Sequence, residues 1–135
     1  MSINLNLVKY RDVTDGCFID ESLSLIESEF LPLDLYEEMV GLKMFQENTV
    51  LETKGSEFKQ GSFKITQVDQ LEYETLKTFL FYKFNNKVQE TMDGNTFLIP
   101  ITKLSELRIL LNLLNIVERK IKEFGNDYNV IIKIG

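Results

Sequence analysis

The chain has 135 residues, enough for one domain that buries about 68% of the surface its unfolded form would expose. Its 21 acidic and 15 basic residues leave a formal charge of −6, which argues against nucleic-acid backbone binding, since that needs clustered Lys and Arg. The single cysteine, Cys17, excludes an intramolecular disulfide and a thiolate metal cluster within one chain, and fits a reducing compartment.

The opening MSINLNLVKYRDV lacks the continuous apolar stretch of a secretory signal. The longest helical apolar run, Ile109 to Val117, is broken by Asn112 and Asn115 and is too short to span a membrane. The expectation is an intracellular chain, in cytoplasm or nucleus.

In chain order, LNLVKY predicts a first strand, Asp15-Gly16 a tight turn, and Cys17 to Ile19 a returning strand of a hairpin. From Glu21 to Leu31 the apolar residues at 23, 26 and 30 lie close to helical spacing, and Pro32 ends that segment. Asp34 and Glu37 suggest a capping box for a short helix from Leu35 to about Val40, with Gly41 as its stop. Residues 42–60 read as a loop with one short strand around Thr49 to Leu51.

Phe63 and Ile65 alternate with Lys64 and Thr66, as a half-buried strand would. Asp69 precedes Glu72 by three residues, the spacing that opens a helix. In that helix Leu76, Phe79, Leu80 and Tyr82 form a broad apolar face, widened by Phe81 and Phe84. Residues 86–96 read as a polar loop turning at Asp93-Gly94-Asn95. The longest helix runs from Leu104 to Phe124, with an apolar stripe at 104, 107, 111, 114, 117, 121 and 124 that makes Leu111 a core residue. Gly125-Asn126-Asp127 turns the chain into a last strand, Val130 to Ile134. The order predicts a mixed α+β fold in one domain, 1–135.

Reaction chemistry is sparse. The chain has no histidine, which removes the usual general base, the commonest metal ligand and the His-dependent nucleophile arrangements. Its seven glycines form no phosphate-binding or dinucleotide pattern. The neighbouring acids Glu37/Glu38 and Asp20/Glu21 diverge on a helix and read as a solvated face. Asp93-Gly94-Asn95 lacks the ligand spacing and closing Glu of a calcium loop. No catalytic, metal or cofactor-binding residue is expected, and Cys17 reads as an ordinary strand or turn thiol.

Four segments resemble the BTB/POZ fold in its short adaptor form, the Elongin C and Skp-type cullin adaptors. LVKYRDVTDGCFI is similar to the opening hairpin and LYEEMVG to a short helix ending at glycine. FKITQVDQLEYETLKTFLFYKF is similar to the third strand and its following helix, and FLIPITKLSELRILLNLLNIV to the closing Leu-rich helix. The resemblance covers roughly residues 7–117, so 118–135 becomes a C-terminal extension carrying an extra strand. It implies a small sheet with an N-terminal hairpin packed on a helical cluster. It also implies a non-enzymatic adaptor bridging a cullin scaffold and a substrate receptor in a ubiquitin ligase. The partner would insert a short Leu-led amphipathic helix between the last helices.

Phe79, Phe97, Leu110, Leu114, Ile116 and Val117 are then either ordinary core or the lining of that partner groove. A self-associating subunit is the alternative, its Val130–Ile134 strand pairing across a homodimer. A small enzyme built on a carboxylate or a Tyr/Lys pair is a third reading.

Overall fold

Val130–Ile134, the last strand of the chain, is an interior one. The structure is a computed structural model and describes residues 2–53, 61–92 and 101–135. Among these residues the strands are β1 (Asn4–Tyr10), β2 (Val13–Thr14), β3 (Cys17–Ile19), β4 (Leu23–Phe30), β5 (Phe45–Leu51), β6 (Ser62–Val68) and β7 (Val130–Ile134). They join in one sheet of order β2-β3-β5-β6-β7-β1-β4, so β7 lies between β6 and β1. All neighbours run antiparallel except β3 and β5. The helices are α1 (Leu33–Gly41), α2 (Tyr73–Met92) and α3 (Ile101–Glu123).

The fold is mixed α+β, as composition and pattern predict. The extra strand is not an edge addition, however. Val130, Ile132 and Ile134 pack with Leu5 and Leu7 of β1 and with the buried residues of all three helices in the main core. The self-associating reading required β7 to pair across a dimer, and β1 occupies one side of it along its length.

The other sheet face has its own small core, Val8, Tyr10, Val50, Ile65 and Ile131, flanked by Phe18 and Leu23. Phe18 on β3 stacks on Tyr10 on β1, with ring centroids 4.5 Å apart and planes 7° from parallel. These strands lie four places apart in the sheet, so it curls enough to bring their two rings together. The Tyr10 hydroxyl is buried without a partner among the described residues. Burial, with Asp20 adding a repulsive charge, pushes its pKa up to about 12.

Leu23–Phe30 forms a strand where the spacing of 23, 26 and 30 predicts a helix. The register between β1 and β4 slips between Leu7 and Val8, so Leu7 pairs with Glu27 and Val8 with Leu25. A bulge inverts the alternation at that point, and the apolar residues on either side of it lose their period of two. As a result Glu27 and Glu29 turn toward α3. Glu29 accepts a 2.8 Å hydrogen bond from Asn112, and Glu27 one of 3.3 Å from Arg119.

Some local signals hold, but β3 does not return onto β1 as the expected hairpin has it: it pairs with β2 and β5, while β1 pairs with β4 and β7. Asp15 and Gly16 both take positive φ, 52° and 78°, which a tight two-residue hairpin turn requires. The Asp69 carboxylate accepts the Leu71 amide at 3.0 Å and starts a 3-10 turn that runs into α2 at Tyr73. Asp34 makes no such cap, because α1 already begins at Leu33 behind Pro32. β5 is seven residues long rather than three, since Gln46 and Asn48 give one of its faces a polar look that hides the strand. α2 continues to Met92, through most of the expected 86–96 loop. The Asp93-Gly94-Asn95 turn and Phe97 lie outside the described residues.

Candidate functional site

α2 and α3 form an antiparallel pair whose register is set by ion pairs. Lys77 Nζ is 3.6 Å from Glu118 at one end, and Lys87 Nζ is 3.0 Å from Glu106 at the other. The inner surfaces bury Leu76 and Leu80 of α2 with Leu110, Leu113, Leu114, Ile116 and Val117 of α3.

The outer surface is also apolar. Phe81 lies one turn beyond Lys77 on α2, and Phe84, Val88 and Met92 continue that stripe at helical spacing. On α3, Leu111, Leu107 and Leu104 lead away from Glu118 in the same manner. Because Lys77 and Glu118 join the heads of the two stripes, the stripes run side by side. Phe81 is 54% exposed, Leu104 48% and Leu111 42%, while Val88 and Leu107 are half-buried and Phe84, also half-buried, packs against the main core. The result is an unpartnered apolar seam between α2 and α3, facing away from the sheet.

The far end of the helix pair is charged. Lys87 contacts both Glu106 and Glu90, at 3.0 and 3.3 Å, and Lys103 stands 3.9 Å from the same two carboxylates. The hydrogen bond with Glu106 holds Lys87 above its ordinary pKa and Glu106 below its own. A groove of about 350 Å³ opens beside this network, between α1 and the overhanging parts of α2 and α3, with Leu110 in its wall.

The residues expected at a partner groove therefore separate. Ile116 and Val117 are 0% exposed and belong wholly to the core, as does Leu114. Leu110 is buried and reaches only the wall of the charged groove. Phe79 is half-buried and turns toward α1, where it lines a hollow with Leu42, Met44 and Tyr82. The expected assignment of Leu111 to the core is reversed, since it stands on the outer seam. The outer residues Phe81, Leu104 and Leu111 were missed as a surface because α3 is apolar around most of its girth. Periodicity cannot say which of two apolar stripes faces the sheet.

A second feature lies at the opposite end of the pair. β6 and β7 are hydrogen-bonded only at Thr66 with Ile134 and Gln67 with Lys133, and then they part. The main chain of Ile132, paired with Leu7 on the β1 side and with no residue of β6, hydrogen-bonds to the Tyr73 hydroxyl, whose pKa burial pushes up to about 12. Lys120 of α3 is buried here, its ammonium bonded to the carbonyls of Phe124 and Asp127 at 2.7 and 2.9 Å. Burial lowers its pKa.

No family model, curated protein or solved structure matches the chain. Among the described residues no cluster of three or more Cys, Asp or Glu could hold a metal ion, and no helix is long and apolar enough to cross a membrane.

Proposed function

We propose that the chain is a non-enzymatic protein–protein interaction module that holds an amphipathic helix of a partner along the outer seam of α2 and α3. One observation carries this reading: two parallel rows of exposed or half-exposed apolar side chains, Phe81 to Met92 and Leu104 to Leu111, lie on the outward face of helices whose inner faces already fill the core. An amphipathic helix laid between them would cover both rows. The flanking Lys77–Glu118 pair and the Lys87–Glu106–Lys103 network would set its register and direction.

The narrower form of the proposal comes from the BTB/POZ resemblance: an adaptor within the cell, joining a cullin scaffold to a substrate receptor. In that form the receptor helix engages the outer side of the helices expected to hold it, at Phe81, Leu104 and Leu111.

The test is affinity purification from the native source with wild type and Phe81→Asp/Leu111→Asp side by side. Partners present with wild type and lost with the variant support the module, and a cullin or receptor among them supports the narrower form. Identical capture by both proteins rejects the seam.

Self-association is the second reading, moved to a different strand. β4 is the longer of the two sheet edges, and its Leu25 and Phe30 are exposed. Native mass at low concentration distinguishes a β4-paired dimer, broken by Leu25→Lys, from a monomer awaiting a partner.

A further inference from the structure

We propose that the cleft where β6 and β7 part is a binding site for a small monoanionic carboxylate with a planar body. The cleft encloses about 530 Å³, within the range of roughly 300–1,000 Å³ typical of small-molecule sites. Its floor holds Gln67 and Lys120, only 5% and 4% exposed, and its rim carries the exposed Leu71 and Tyr128.

Charge selects the ligand's sign. The chain has 21 acidic residues, yet among the described residues no carboxylate lines this cleft. An ammonium has three N–H donors. Lys120 gives two of them to main-chain carbonyls, and the third has no acceptor among the described residues. No carboxylate among them lies within ion-pair distance of Lys120 either. The Asp127 carboxylate is turned to Lys9, at 3.3 Å, and to the Asn129 amide, at 3.0 Å. Asp127 acts on the ammonium only from beyond ion-pair distance, and the Tyr73 ring lies 5.6 Å from it, so the buried charge is only partly compensated and an anion entering the cleft would relieve the rest of the cost. One ammonium matches one negative charge, so a dianion such as phosphate would carry surplus charge into a closed site. A cation would meet the Lys120 ammonium and no carboxylate among the described lining residues.

The walls select the ligand's shape. Gln46, Asn48, Gln67 and Gln70 bring four side-chain amides to the cleft, each able to donate and accept. Asn48 donates to Gln67 Oε1 at 3.2 Å, which fixes that amide and leaves Gln67 Nε2 with no acceptor among the described residues. Phe18, Val130 and Ile131 supply apolar wall for a flat ligand body. A carboxylate between Lys120 Nζ and Gln67 Nε2 would satisfy two donors that the chain itself leaves open. The helix cap accounts for two of the Lys120 donors but not for the cleft or for the amides gathered around it.

The experiment titrates the ¹⁵N-labelled full chain with benzoate, and separately with benzamide, its neutral counterpart of the same shape, at constant ionic strength. The expected result is saturable movement of the Asn48 and Gln67 side-chain amide signals with benzoate. Benzamide should bind roughly tenfold or more weakly, the worth of one charge-assisted hydrogen bond. Lys120→Met should remove that preference, and Gln67→Leu should weaken benzoate while keeping it. If Lys120→Met does not fold, the ratio measured on wild type and the Gln67→Leu titration decide. Benzoate that leaves these amides unmoved, binds no better than benzamide, or moves only signals elsewhere overturns the proposal.

Discussion

Lys120 Nζ donates to the main-chain oxygen of Phe124, 2.7 Å away and just past the end of α3, from a side chain that is almost wholly buried. The last carbonyls of a helix lack intrahelical partners and carry partial negative charge, so a cation at that point satisfies them. Lys120→Met keeps most of the buried stem but removes the two ammonium hydrogen bonds from the carbonyls of Phe124 and Asp127, which keep only those from the Asp127 and Val130 amides. We expect a loss of about 1–3 kcal/mol. Urea unfolding at an unchanged slope measures it. A midpoint equal to wild type would mean that the cap contributes nothing.

Leu111 and Leu113 are two residues apart, yet one stands on the seam and the other in the core. Leu113→Ala should destabilise by about 2–5 kcal/mol, since it opens a cavity among fully buried neighbours. Leu111→Ala should stay within about 1 kcal/mol of wild type, as a surface change does. Comparable losses at the two positions would place Leu111 in the core after all.

Deletion after Phe124 removes a strand bonded to β1 on one side and to β6 on the other. It strips Val130, Ile132 and Ile134 from beneath the helices. The truncated chain is expected to lose near-UV circular dichroism, bind a hydrophobic dye and unfold without a sharp transition. Cooperative unfolding of the truncated chain would show that the remaining strands close up without β7.

Tyr10 and Tyr73 carry pKa values raised by burial from 10.0 to about 12. Between those values the unfolded chain has lost protons that the folded chain keeps. Their contribution to stability is therefore complete below about pH 10 and is lost as pH rises through about 12. Absorbance at the phenolate band should show two of the five tyrosines titrating late or together with unfolding. Replacing both by Phe should flatten the alkaline decline. A decline that is unchanged in the double variant would assign it to other groups.

What the sequence determined by itself is local. Asp15-Gly16 needs positive φ, Asp69 reaches an amide two residues on, and Gly125 sits where an added Cβ would meet the Ile121 carbonyl at 2.5 Å. Each depends on a few neighbouring residues, and each was readable together with the strands β1, β6 and β7. Tertiary structure alone decided which elements meet. β7 is five residues, four of them apolar, that would suit either an edge or a centre, and only its pairing with β1 and β6 makes it central. β4 reads as helical because a bulge against β1 breaks its period, and the slip exists only in the pair. The core stripe of α3 is displaced because it runs through Lys120, a residue that hydropathy assigns to solvent and that the carbonyls of Phe124 and Asp127, four and seven residues on, hold inside. Periodicity names the faces an element has. The partners that cover those faces come from long-range contacts, and these left Phe81, Leu104 and Leu111 uncovered.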